Sequence, residues 1–109
     1  MLNIDHAAHF TRPVTFPVPN GPEAEPQTAT VTFNVLRISQ VRSFDFATAE
    51  GVDSILDASV REIGDLQDGH GNPVPWSAEV KKIILDQPWA RNALITAYWS
   101  GSQEDALKN

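Results

Sequence analysis

Apolar and polar residues alternate in two stretches of the amino-terminal third of the chain. The first stretch has its apolar residues at Phe10, Val14, Phe16 and Val18, separated by polar residues and prolines. A period of two is typical of a strand with one buried face. Because Pro13 and Pro17 have no N–H donor, we expect this strand to lie at a sheet edge.

A second alternating stretch runs from Thr28 to Ser39. Its apolar residues change parity at Val35–Leu36, which predicts a bulge or a twist there. The intervening residues 19–26 contain Pro19, Pro22 and Pro26. These prolines disfavour a tight two-residue turn and predict a longer polar loop. The two stretches therefore predict a β-hairpin.

The apolar spacing becomes helical in the second half of the chain. A first helix is predicted from the spacing of Val52, Ile55, Leu56, Val60 and Ile63, with Gly64 as its end. The preceding residues 43–46 are either the end of the second strand or the first turn of this helix. Asp53 and Asp57 fall outside the apolar stripe, which favours a solvated acidic face.

Two further helices follow a turn-rich segment at residues 68–75. Ser77 is a good N-cap for the first of them, and Pro88 fits the first turn of the second. The last helix carries Trp89, Ala93, Leu94, Ala97 and Tyr98 on one face, and Gly101 predicts its end. The polar residues 102–109 are expected to form a flexible tail.

These elements predict an α+β fold in which an amino-terminal β-hairpin with edge prolines is followed by three helices. The hairpin part is expected at residues 9–41 and the helical part at residues 45–101. A length of 109 residues suits a single domain spanning 1–109.

Composition restricts the classes of function. The chain has 14 acidic and 8 basic residues, a net charge of −6 and no cysteine. The acid excess argues against nucleic-acid binding, and the lack of cysteine excludes disulfides and thiolate sites. No apolar run reaches the roughly 20 residues of a membrane span. We therefore expect a soluble, intracellular protein that does not bind membranes.

Residues with catalytic or metal-binding chemistry are few. His6 and His9 form the one close histidine pair, but a structural metal site needs two more ligands. Residues 65–72 resemble a calcium loop superficially, yet His70 stands where glycine is required. A nucleophile elbow and a phosphate-binding glycine loop are both missing. We expect no enzymatic activity, no cofactor and no metal.

The aromatic residues of the last helix are the candidate site. Tyr98 and Trp99 are adjacent and point about 100° apart on a helix. If Tyr98 follows Leu94, then Trp99 pairs with Ile95 on a second apolar strip, which either contacts a partner or is covered by the sheet. The candidate partner-binding residues are Trp89, Ile95, Tyr98 and Trp99.

Three segments in the carboxy-terminal half resemble a known family. They are Asp68-Gly69-x-Gly71-Asn72-Pro73-Val74-Pro75-Trp76-Ser77-x-Glu79, Ile83-Ile84-Leu85-Asp86-x-Pro88, and Ala93-Leu94 with Ala97-Tyr98. In this order they resemble the tail assembly chaperones of long-tailed, siphovirus-like bacteriophages and prophages. Trp76 departs from that pattern, because phenylalanine is usual there, and the preceding helix lacks the customary Gly-Trp.

The resemblance implies a non-catalytic chaperone that binds the tape measure protein in the host bacterial cytoplasm and is missing from the mature virion. It also implies contact with the major tail tube protein, homo-oligomers, and a longer form of the chain made by ribosomal frameshifting. The alternative is a phage structural or connector protein that is retained in the virion. A small enzyme and an unrelated regulatory module are further alternatives.

Overall fold

The structure is a computed structural model that describes residues 1–4 and 7–108, with side chains described as far as Gly101. Strands β1 (His9–Asn20), β2 (Glu23–Asn34) and β3 (Val60–Gly64) form an antiparallel sheet in the order β1-β2-β3. Four helices follow the hairpin in this part of the chain: α1 (Ile38–Ser43), α2 (Ala49–Ser59), α3 (Ala78–Leu85) and α4 (Pro88–Lys108). The predicted α+β class and amino-terminal hairpin are confirmed, but the prediction of three helices is wrong.

The prolines of the hairpin occupy ladder positions where an N–H donor is not needed. Pro17 lies opposite Pro26, and a pair without donors must be a non-hydrogen-bonded pair of the ladder. Because hydrogen-bonded and non-hydrogen-bonded positions alternate along the ladder, the backbone nitrogens of Pro13 and Pro19 also point away from β2. On the outer face, the hydroxyls of Thr15 and Thr28 lie 3.0 Å apart across the strands.

A tight turn, and not the predicted long loop, joins β1 and β2. Asn20 pairs with Glu23, which leaves only Gly21 and Pro22 in the turn. Gly21 has a φ of +70°, and proline cannot adopt positive φ. A glycine at the first position and a residue of negative φ at the second fit a type II′ turn, which matches the twist of the strands.

The hairpin is also shorter than the predicted range 9–41. β2 ends at Asn34, and the residues after it form α1 at Ile38–Ser43. The change of parity at Val35–Leu36 therefore marks the end of the strand, and the bulge predicted there is wrong. Leu36 turns into the core with 8% of its surface exposed, whereas Val35 is 41% exposed.

The long first helix predicted through Ile63 is instead a helix followed directly by a strand. α2 ends at Ser59, and Val60 begins β3. Thr32 pairs with Glu62 but Phe33 pairs with Val60, so Arg61 is the extra residue of a β-bulge. The bulge lets Val60 and Ile63, three residues apart, both point into the core, where each is 1% exposed. This spacing imitates a helix.

Helix α4 packs across the inner face of β1 and does not end at Gly101 as predicted. Its backbone is helical through Lys108, where a frayed tail was expected. Gly101 lies inside the helix at a close contact, because a Cβ there would come within 2.5 Å of the Phe10 ring and 2.7 Å of the Arg12 guanidinium. Asn109 lies outside the described residues.

One core joins the sheet to the helices. Its fully buried side chains share the inner face of the sheet with α2 and α4, and the largest of them are Phe33, Ile55, Leu56, Ile63, Leu94 and Val31. The ring of Phe33 stacks on Phe10 with centroids 5.2 Å apart. Apolar burial of this kind supplies most of the stabilising free energy of such a fold.

Candidate interaction surfaces along the last helix

The four residues predicted to bind a partner lie in three different places. Tyr98 is part of the core, with 3% of its surface exposed. Its hydroxyl accepts a hydrogen bond of 3.0 Å from the backbone N–H of Leu36. That bond supplies a partner for a buried N–H just after β2 ends. Tyr98 is therefore too deeply buried in this fold to contact a partner.

Trp89 lies at the beginning of α4, against the inner face of the hairpin. Its ring meets the ring of Phe16 edge to face, with centroids 6.1 Å apart and planes at 83°. Trp89 is half-buried, whereas Phe16 is 6% exposed. The Trp89 ring thus packs against the core on one side and is accessible to solvent on the other.

An open groove of about 470 Å³ runs beside Trp89, where the helices stop covering the sheet. Its apolar lining comes from β1, β2, β3 and the segment after it, α3 and α4: Phe16, Val18, Ala29, Ile63, Leu66, Ile84 and Trp89. Its polar lining includes the carboxylates of Glu25 and Asp65. Lysine and arginine do not occur among the described residues that line it. The groove therefore combines an apolar lining with two carboxylates.

Hydrogen bonds fix both carboxylates of the groove. The Thr30 hydroxyl donates to Oδ2 of Asp65 over 2.6 Å. Asp65 has a φ of +58°, a left-handed conformation that aspartate tolerates better than most residues. The side-chain amide of Asn20 donates to Oε2 of Glu25 over 3.1 Å. The acidic part of the groove is therefore built with defined geometry.

The turn-rich segment predicted at residues 68–75 forms a compact loop that closes on the groove residue Leu66. Val74 N–H donates to the Leu66 carbonyl over 2.9 Å. Within the loop, the carboxylate of Asp68 accepts from the backbone N–H of His70 and of Asn72. These two bonds hold the pKa of the Asp68 carboxyl below its usual value. The charge of Asp68 thus stabilises the loop.

Ile95 and Trp99 lie on the other flank of α4 and are half-buried. The Trp99 ring lies 5.0 Å from the ring of Tyr98 and 5.9 Å from that of Phe46, centroid to centroid. Phe46 comes from the segment between α1 and α2 and is 46% exposed. We call Phe46, Ile95 and Trp99 the aromatic strip. Trp99 is thus partly covered by the segment between α1 and α2, and Phe46 itself exposes part of its ring to solvent.

The acidic residues of α2 are exposed, as the sequence favoured, and they also bridge to other helices. Asp53 binds the guanidinium of Arg91 on α4. Asp57 lies 3.3 Å from the Lys81 ammonium on α3, which also donates to the Asp57 carbonyl over 2.8 Å. The two carboxylate side chains are 59% and 81% exposed, so each pair contributes at most about 1 kcal/mol. The pairs orient α3 and α4 against α2.

The histidines and the loop weighed as metal sites can be placed only in part. His6 lies outside the described residues, so the His6–His9 pair cannot be described. In the part of the chain that the structure describes, no group of three or more histidines and carboxylates lies close enough to hold a metal ion. Residues 65–72 belong to the groove and its loop.

Two parts of this surface, Phe46 and the groove, are not predicted by the sequence pattern. Phe46 stands in a short irregular segment between two helices, where no period applies. The groove arises because Phe16 and Trp89, distant in sequence, meet at the end of the helical layer. Its one sequence signal is that inner-face positions of β2 change from apolar residues to Gln27, Glu25 and Glu23 toward the tip.

Across residues 1–4 and 7–108, none of the helices has the length and hydropathy needed to cross a membrane. Comparison with protein-family models, with curated proteins and with solved structures gives no match to this chain.

Proposed function

We propose that this chain is a tail assembly chaperone of a long-tailed bacteriophage or prophage. It acts without catalysis, by binding the apolar helical tape measure protein in the host cytoplasm and keeping it soluble until the tail tube forms around it. The motifs between Asp68 and Tyr98 suggest this family. The observation that carries the proposal is the half-buried aromatic surface on both flanks of α4.

That surface has the properties that a helix-binding chaperone needs. Trp89 on one flank and Trp99 on the other each bury one side in the fold and leave another side accessible. Aromatic side chains of this kind are enriched at protein interfaces, because they offer a large apolar area at low entropic cost. An amphipathic helix lays its apolar face into such a surface.

The charge of the chain suits the same role. Ten of the 14 acidic residues, but only five of the 8 basic residues, lie from Glu50 onward, in the part that contains α4. A net charge of −6 keeps molecules apart while one apolar surface is occupied. Negative charge around an exposed apolar surface therefore favours a soluble complex over aggregation.

Further partners belong to the same proposal. Homo-oligomers, the major tail tube protein and a frameshifted longer form of the chain are the expected partners during assembly. The chaperone is expected in the host cytoplasm and not in the mature virion. Mass spectrometry of purified particles separates this role from the alternative, a structural or connector protein, because the alternative requires the chain to be present in the virion.

Co-expression with the tape measure protein encoded near the same gene tests the function directly. The wild-type chain should raise the soluble fraction of that protein, and Phe46→Asp should reduce the effect by placing a charge on the aromatic strip. Ile83→Asp is the matched control, because Ile83 is 65% exposed on α3 and belongs neither to the strip nor to the groove. If the wild-type chain leaves the tape measure protein insoluble, the proposed function is wrong.

A further inference from the structure

We infer that the groove beside Trp89 binds a cationic amphipathic helix, with aliphatic side chains on the aromatic wall and a lysine or arginine against Glu25 and Asp65. The inference rests on the proposed function for the source of that helix, which is a segment of the tape measure protein. It goes further by assigning the groove, and by giving the occupant a charge.

The shape of the groove comes from an incomplete helical layer. α4 covers the inner face of β1 and begins at Pro88, so Trp89 stands where this cover ends. Beyond it the inner face of the hairpin continues through Val18 and Glu25, which lie opposite each other in the ladder. A helix placed there would extend the layer that α4 forms and would bury Val18 and the open side of Trp89.

The apolar and the anionic parts of the lining come from different elements. The rings belong to Phe16 on β1 and Trp89 on α4, while the carboxylates belong to Glu25 on β2 and Asp65 after β3. Because no lysine or arginine is found among the described lining residues, these carboxylates have no cation within the groove. An occupant that brings a cation would satisfy them, whereas an acidic occupant would be repelled.

The hydrogen bonds at the rim favour recognition over chance exposure. Asn20 holds Glu25 from across the hairpin tip, and Thr30 holds Asp65 from the neighbouring strand. Each of these bonds uses one oxygen, Oε2 of Glu25 and Oδ2 of Asp65. A carboxylate accepts several hydrogen bonds, so both retain capacity for a charged donor.

Two synthetic helical peptides with the same leucine positions test the charge of the occupant. One carries lysine and the other glutamate at the flanking positions, and each is titrated into the ¹⁵N-labelled full chain. The lysine peptide should shift the amide signals of Val18, Gln27 and Leu66, and the glutamate peptide should not. Equal binding of both peptides, or shifts confined to residues outside the groove, would overturn the inference.

A charge reversal with a matched control tests the site. Glu25→Lys should weaken binding of the lysine peptide by about tenfold or more, since like charges then face each other. Glu62→Lys makes the same change in net charge but lies on β3 opposite Thr32, on the outer face of the sheet. Its affinity should stay within about twofold of the wild type. Equal weakening by both variants would mean that only net charge matters, which contradicts a site at the groove.

Failure of the inference and failure of the proposed function give different results. If the wild-type chain solubilises the tape measure protein and Glu25→Lys does so equally well, the groove is wrong and the function stands. If the lysine peptide binds the groove but the tape measure protein stays insoluble, the groove stands and the function is wrong. A concentration-dependent dimer that buries Val18 and excludes the peptide would assign the groove to a second copy, and would overturn the inference.

Discussion

The two halves of the hairpin belong to one continuous ladder but differ in what covers them. In the near half, which is the half at the open end of the hairpin where His9 pairs with Asn34, the inner face is buried under α2 and α4. Val31 and Phe33 there are fully inaccessible to solvent. β3 also pairs with β2 only at residues 30–33. In the far half, which is the half that ends at the turn, Val18 is half-buried and residues 19–26 are exposed.

The difference shows that alternation predicts a strand and not its environment. The near half uses its inner face for stability, because each apolar side chain there meets another layer. The far half has the same backbone, paired as far as Asn20 and Glu23, but its inner face remains available. The near half thus contributes its inner face to stability, whereas the far half leaves its inner face accessible.

Substitution of one inner-face residue in each half should give the largest contrast. Phe33→Ala should lower the free energy of unfolding by about 3–5 kcal/mol, since it leaves a cavity between the sheet and the helices. Val18→Ala should lower it by less than about 1 kcal/mol, because solvent already reaches that side chain. Urea unfolding measures both. Comparable losses for the two variants would mean that the far half is covered as tightly as the near half.

A smaller effect is expected where α4 crosses the near half. Gly101→Ala places a methyl group against Phe10 and Arg12 and should cost about 1–3 kcal/mol through overpacking, although alanine is the better helix former. Gly69→Ala is the control, because nothing lies within 4 Å of the position of its Cβ. Thermal unfolding of both variants measures the difference. A Gly101→Ala chain as stable as the wild type would show that α4 is less closely packed on β1.

The sequence predicted the class of fold and the hairpin but confused a bulge with a helix. Val60 and Ile63 are three residues apart and both buried, which is the spacing of a helix face. The strand achieves the same spacing with Arg61 as its extra residue. Pattern alone cannot separate these cases, because the decision depends on pairing with β2, which is distant in sequence. The prediction that the helix ends at Gly101 is wrong for a similar reason, since a close tertiary contact and a helix end both favour glycine.

The candidate site was predictable only in outline. The helical period of α4 placed Tyr98 and Trp99 on different faces, and in the structure Tyr98 lies in the core whereas Trp99 is half-buried on a flank of α4, with the two rings in edge contact. That period could not show that Tyr98 would bond to the backbone of Leu36, nor that Phe46 would cover Trp99. Both contacts depend on where α1 and the segment after it fold back, for which the local sequence carries no periodic signal.

A small effect on stability, and the sharpest test of the far half, concerns its prolines. Pro17 and Pro26 oppose each other at positions whose N–H would point away from the ribbon, so each removes a donor from an edge that could pair with another strand. Pro17→Thr with Pro26→Thr restores both donors. We expect a loss of at most about 1 kcal/mol per proline, through the greater entropy of the unfolded chain, together with concentration-dependent self-association in sedimentation experiments. Pro75→Thr, exposed and outside the sheet, should leave the mass unchanged. If the double variant keeps the mass of the wild type at every concentration, the prolines do not protect the edges, and the openness of the far half needs another physical explanation.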